Sequence, residues 1–177
     1  MSSDLVPLLP KVSLERRAGA FCIDAIAVWI PSLILGTNPI AQIILFVLLW
    51  LIMRVAITRK NQGQSLGRWA LDMKIFDPRF QRTPGVQELC KREALLGFCA
   101  ALAFAGVAGL TSGNAGVLLL MLPLAIDCSF AFTDAERFPQ AFHDRLGKTI
   151  VIGTKRGYSL DIKVRRLLDQ VQTNVRR

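Results

Sequence analysis

Two long stretches of this chain, residues 18–53 and 93–136, contain no lysine or arginine, although 22 of its 177 residues are Lys or Arg. The same two stretches hold its apolar runs. The basic residues fall instead in 11–17, 54–92 and 137–177. A chain that folds in water has no reason to segregate charge in this way. A chain that crosses a bilayer does, because segments in lipid and the short loops carried across with them stay free of basic charge, whereas the loops left behind are rich in it. The 52% hydrophobic content agrees, being high for a soluble domain.

Four runs approach the ~17–25 residues that a bilayer core requires. They are Ala18–Leu35, Ile40–Ile57, Ala94–Thr111 and Ala115–Thr133. Gly36-Thr37-Asn38-Pro39 joins the first pair and Ser112-Gly113-Asn114 the second, both short and turn-like. The first run contains Asp24, has no small-x-small cleavage site after it and leads straight into the second, so it reads as a span and not as a secretory signal. The pattern predicts an all-α membrane protein with four transmembrane helices arranged as two hairpins. The positive-inside rule puts the basic segments and both termini on the cytoplasmic side of a plasma or inner membrane. Residues 1–13 form a leader, 14–153 the membrane domain and 154–177 a basic tail.

A net charge of +9 points to an anionic lipid surface or to nucleic acid. No stacking aromatics or recognition motif accompany the basic residues, so nucleic acid is not an expected partner. In the tail, Val164, Leu167, Leu168, Val171 and Val175 share one helical face, with Arg165, Arg166, Arg176 and Arg177 beside them. This predicts a C-terminal amphipathic helix that lies on anionic headgroups or on a partner. Between the hairpins, Trp69, Leu71, Met73 and Ile75 alternate with Arg68, Ala70, Asp72 and Lys74, the period of a half-buried strand. Thr149–Ile152 is a second β-branched run, and the two predict a small cytoplasmic β element. Gly97, Ala101, Ala105, Gly109 and Gly113 recur every fourth residue, a stripe that allows close helix approach inside the bundle or in a homo-oligomer. Cys22, Cys90, Cys99 and Cys128 form no CxxC pair and read as small, reduced, buried residues.

Three ionisable residues stand inside the predicted spans. Asp24 and Asp127 lie ~9 Å, and Arg54 ~5 Å, from the cytoplasmic boundary at ~1.5 Å rise per residue. An isolated charge at such a place is expensive, so pairing is expected. Pro31 and Pro123 lie near this layer, and carbonyls freed by a proline beside a carboxylate are one way to build a cation site; kinks that fit the helices together are the other. Arg54 also has the alternative of snorkelling to the interface. Cys22 and Cys128 neighbour the aspartates, but no histidine joins them and no metal is expected.

The segments Arg17-Ala18-Gly19-Ala20-Phe21-Cys22-Ile23-Asp24, Gly63-Gln64-Ser65-Leu66-Gly67-Arg68 and His143-Asp144-Arg145-Leu146-Gly147-Lys148-Thr149 occur in that order. Together they resemble the RDD family of small membrane proteins, over about residues 14 to 153. The resemblance implies that Arg17, Asp24 and Asp144 form the named arginine–aspartate triad, that Asp127 falls where many members carry an aspartate, and that Gly63, Gly67, His143 and Arg145 belong to the cytoplasmic motifs. Gly147-Lys148 stands where the family commonly has Ala-Gly, which predicts a different turn there. Arg17 and Asp24 share a helix face, but helical side chains lean toward the N-terminus, so Arg17 points away from Asp24. Arg17 is therefore expected to pair with Asp144, and Asp24 with Arg54.

The family resemblance implies membrane location and a suspected role in transport. Two functions compete. One is transport of an ion or small solute on Asp24 and Asp127, where four helices are few and a homo-oligomer is expected. The other is a non-catalytic scaffold or assembly factor that works through its basic cytoplasmic surfaces. No nucleophile–base pair or metal set appears, and the Gly63–Gly67 loop lacks the Lys-Ser/Thr of a nucleotide loop, so neither catalysis nor a cofactor is expected.

Overall fold

The computed structural model describes residues 9–35, 38–110, 113, 115–132, 139–154 and 160. The first helix, α1 (Leu14–Ser32), starts where the Ser13 side chain accepts from the Arg16 backbone N–H, and carries Pro31 in its last turn. The second, α2 (Pro39–Lys60), is capped by Asn38, whose side chain accepts from the N–H groups of Ile40 and Ala41. Its stretch Ile52–Ile57 is wound as a π-helix, which turns Arg54 and Val55, adjacent in sequence, both into the interior. A short helix α3 (Leu66–Ala70) leads into β1 (Met73–Phe76). Then come α4 (Val86–Gly109) and α5 (Ala115–Phe132), whose first turns are 3-10 up to Met121. A short α6 (Phe142–Leu146) and β2 (Ile150–Gly153) complete the described part.

Three helices are long and apolar enough to cross a membrane, Pro39–Lys60, Val86–Gly109 and Ala115–Phe132. The helix α1 is of similar length but carries Glu15, Arg16, Arg17 and Asp24. One core lies between α1, α2 and α4, built from Ala25, Val28, Phe46, Trp50, Leu96 and Ala100. Its aromatics interlock, Trp29 on Phe104 at 5.4 Å and Phe46 on Trp50 at 5.7 Å between ring centroids. A second cluster ties α1 to the strands through Ala20, Leu71, Met73 and Val151. Outward, the helices present large apolar side chains such as Ile44, Leu48, Ile52, Phe98 and Ile126. An apolar exterior of this kind suits lipid and not water.

The strands pair antiparallel, with Met73 opposite Gly153 and Phe76 opposite Ile150. The first strand is shorter than its alternation predicts. Residues Leu66–Ala70 are helical, Trp69 is 54% exposed and Arg68 is buried, the reverse of the strand reading. The helical turn wins because it brings the Gly67 N–H to Asp24 and the Arg68 guanidinium to Glu93, adding a donor to each of two fully buried carboxylates. Asp72, at φ 50°, then breaks the helix ahead of β1.

The other differences from expectation have similar causes. The fourth-residue stripe is an internal contact, with Gly97 against the Trp50 indole and Gly109 against Val117. Only Cys99 of the four cysteines is buried; Cys22, Cys90 and Cys128 are exposed on helix surfaces. The helices α1 and α4 begin earlier than their apolar runs, and Arg16 and Arg17 on α1 and Arg92 and Glu93 on α4 face partners in the fold. The amphipathic tail helix and the leader up to residue 8 lie outside the described residues.

Candidate functional site

Each charge that the apolar pattern cannot explain converges on one buried network. Asp24, fully buried on α1, accepts from three donors. Its Oδ2 takes Arg54 Nη1 at 2.9 Å and the Ser65 hydroxyl at 2.6 Å, and its Oδ1 takes the Gly67 N–H at 2.7 Å. Arg54 is 3% exposed, so it does not snorkel to the interface. Its Nε donates to Glu93 Oε2 at 2.7 Å, and its guanidinium lies over the Trp50 ring, 4.6 Å from the centroid. Glu93, on α4, also accepts from Arg68 Nη2 at 2.7 Å through Oε1. One carboxylate–guanidinium chain thus links α1, α2, α3 and α4.

A second chain lies beside it. Arg17 donates to Asp144 Oδ2 and to the Pro139 carbonyl. Arg92, one residue before Glu93, reaches the other Asp144 oxygen at 2.7 Å. Asp144 also accepts the Ala141 N–H at 3.2 Å, which opens α6. The neighbouring His143 is held by Asp127 of α5, through its backbone N–H at 2.8 Å and its Nδ1 at 2.5 Å. Its Nε2 stands 3.5 Å from Asp144 Oδ1. Asp127 therefore belongs with His143, and not with Asp24 and Arg54 as one layer.

Both pairs drawn from the sequence, Arg17 with Asp144 and Asp24 with Arg54, are present in this geometry. Sequence reasoning missed Glu93, Arg92, Arg68 and Ser65. Glu93 and Arg92 stand at the edge of an apolar run, where charges normally mean solvent. The available signal was their adjacency at the head of a span whose helix begins at Val86, two turns earlier. Arg145 lies outside the network, exposed, with its Nη2 on the Phe130 carbonyl at 3.3 Å. Among the described residues no group of three His, Cys, Asp or Glu is placed to hold a metal ion.

The electrostatics follow from these partners. Burial by itself would raise the Asp144 carboxyl, but Arg17 and Arg92 outweigh it and hold that group well below the ordinary carboxylate range. Burial works against the Arg68 charge and Arg54 adds to the effect, whereas Glu93 supports it. Arg68 has Glu93 as its ion-pair partner, at 2.7 Å. Its Nη1 is buried and has no hydrogen-bond partner among the described residues.

The model of the RDD family matches residues 11–148. The chain belongs to the RDD family. No curated protein and no solved structure matches it. The match encloses α1, the Gly63–Arg68 segment and the His143–Lys148 segment, which are the places where the two charge chains meet. Arg17 and Asp144, which the resemblance places in the family's arginine–aspartate triad, are direct partners across the fold. The other aspartate, Asp24, serves a different arginine.

The central RDD segment owes its path to two glycines. Gly63 has φ 92°, and a Cβ there would lie 2.6 Å from the Ile75 carbonyl oxygen. A Cβ on Gly67 would lie 2.1 Å from the Ala20 carbonyl oxygen, so α3 rests on α1 backbone to backbone. In the closing segment the resemblance implied a different turn at Gly147-Lys148, and Lys148 there is left-handed, at φ 50°. A lysine there carries Cβ strain that glycine lacks, on the order of 1 kcal/mol. Lys148→Gly is expected to raise the melting temperature of the purified protein. An unchanged or lowered melting temperature would show that the turn holds no strain.

Proposed function

We propose that this RDD protein is a non-catalytic scaffold or assembly component of a plasma or inner membrane. Its buried charges lock four spanning helices to a cytoplasmic cap. The observation that carries this reading is the saturation of Asp24. With Arg54, Ser65 and Gly67 all donating to it, the intramembrane carboxylate acts as a clamp between α1, α2 and α3. The fourth span in this reading is α1, whose outward face is apolar, with Ile26, Ile30 and Leu33 exposed. The cap comprises α3, the two strands and α6. Its exposed Arg59, Lys60, Arg79, Arg82, Lys91 and Lys148 are the basic surface offered to anionic headgroups or to a membrane protein partner.

Transport of an ion or small solute is the second reading, and one observation favours it. His143, the chain's single histidine, sits between Asp127 and Asp144, a carboxylate–imidazole–carboxylate row of the kind that proton pathways through membranes use. In this reading a homo-oligomer supplies the pathway that four helices are too few to enclose. Ion flux decides between the two. Liposomes containing the purified full-length protein are expected to leak sodium, potassium and protons no faster than protein-free liposomes. Sustained flux that His143→Ala abolishes, in a variant that still folds, would overturn the scaffold reading and establish transport.

A further inference from the structure

A cavity of about 210 Å3 lies against the ion network. Its polar lining consists of Arg17, Arg54, Arg68, Arg92 and His143. The rest of its wall is apolar, with Phe21, Met73, Leu96 and Phe132 among the contributors. Three carboxylates serve the four guanidiniums: Glu93 for Arg54, Arg68 and, at 3.5 Å, Arg92; Asp24 for Arg54; and Asp144 for Arg17 and Arg92. The nearby carboxylate of Asp127 is held by His143. The shortfall shows at Arg68, which is 2% exposed and whose Nη1 meets no acceptor among the described residues. A buried guanidinium nitrogen without an acceptor is the kind of group that a ligand oxyanion satisfies.

The cavity also has a mouth. Of its lining residues, the exposed ones are Ala18 on α1 and Cys128 and Phe132 on α5, so it opens sideways between these two helices. Ala18 follows the last charged residue before the first apolar run, and Phe132 is in the last turn of α5. Under the four-span topology proposed above, that opening faces the lipid at the cytoplasmic boundary.

We propose that this cavity is a binding site for an anionic amphiphile, with a phosphate headgroup seated on the arginines, Arg68 foremost, and an apolar chain leaving between α1 and α5 into the bilayer. Both halves of the molecule are called for. A free inorganic anion meets Arg68 but leaves the apolar wall unfilled. A zwitterionic lipid fills the wall but brings its own cation toward four guanidiniums. The volume suits a headgroup, at ~30 Å3 for each water-sized group, and not a whole lipid, so the chain leaves by the mouth.

The test uses full-length protein purified in a neutral maltoside detergent and native mass spectrometry, with phosphatidylglycerol, phosphatidylcholine or inorganic phosphate added. Phosphatidylglycerol is expected to bind at least about tenfold more tightly than phosphatidylcholine, the weight of one charge-assisted hydrogen bond, and inorganic phosphate not to saturate the site. Ala18→Trp closes the mouth without touching an ion pair. It is expected to weaken phosphatidylglycerol binding by about tenfold at an unchanged melting temperature. Arg68→Lys keeps a charge for Glu93 but removes the unmet nitrogen, and is expected to act in the same direction. Equal binding of the two lipids, or indifference to Ala18→Trp, overturns the proposal. Saturable phosphate binding that excludes the lipid makes this a free-oxyanion site and overturns it as well. Binding in detergent does not depend on sidedness, so its failure is distinct from a failure of the topology.

Discussion

Arg54→Leu is expected to be among the most damaging single substitutions in the protein, lowering stability by about 3–5 kcal/mol, the usual cost of orphaning a buried ion. Arg54 serves two carboxylates, Asp24 at 2.9 Å and Glu93 at 2.7 Å, both fully buried. Its loss leaves Asp24 with only neutral donors. The measurement is folded yield from membranes together with the melting temperature in detergent. Asp24→Leu should be harmful too, since it strands the Ser65 hydroxyl and the Gly67 N–H beside an underused Arg54. The double variant Asp24→Leu/Arg54→Leu should recover part of the loss, because Glu93 keeps Arg68 and no charge is left alone. The recovery is expected to be incomplete, as Ser65 and Gly67 still lack their acceptor. Strictly additive losses, with no recovery in the double variant, would mean that the two residues are not energetically coupled.

Gly67→Ala should be the most damaging change that adds a single methyl group. The added Cβ would lie 2.1 Å from the Ala20 carbonyl oxygen and 2.9 Å from its carbon, so backbone must move against backbone. Overpacking typically costs about 1–3 kcal/mol, and more where a flexible side chain cannot give way. The displacement would also pull the Gly67 N–H off Asp24 and loosen the ion network at its centre. Leu66→Ala, one residue away and 48% exposed in the isolated chain, is the control and should be nearly neutral. Equal melting temperatures for the two variants would refute the close seating of α3 on α1.

The two predictions mark different degrees of legibility. The pair Asp24–Arg54 was readable because both residues violate an apolar pattern, and a violated pattern in lipid demands a partner. Arg17–Asp144 followed from side-chain direction once Asp144 was placed beyond the last helix. Gly67 was recognisable as part of a motif, but nothing in one dimension says that its missing Cβ makes room for the carbonyl of Ala20. The strand reading of 68–75 erred for the same reason. Alternation over a few residues is a weak signal, and two buried charges elsewhere in the chain overrode it.

By itself the sequence determined the membrane character, three of the apolar helices and the presence of buried charge. All of these depend on hydropathy and charge as they run along the chain, and a bilayer enforces that pattern residue by residue. Only the tertiary structure decided the membership of the ion network. Glu93, Arg92 and Arg68 look like ordinary solvated charges at the ends of helices, and they become interior because α4 begins at Val86, α3 is helical and a π-helical stretch turns Arg54 inward. Those are matters of helix rotation and start point, set by how the elements pack against one another. A shift of one residue changes a helical side chain's direction by about 100°, more than hydropathy along the chain can resolve.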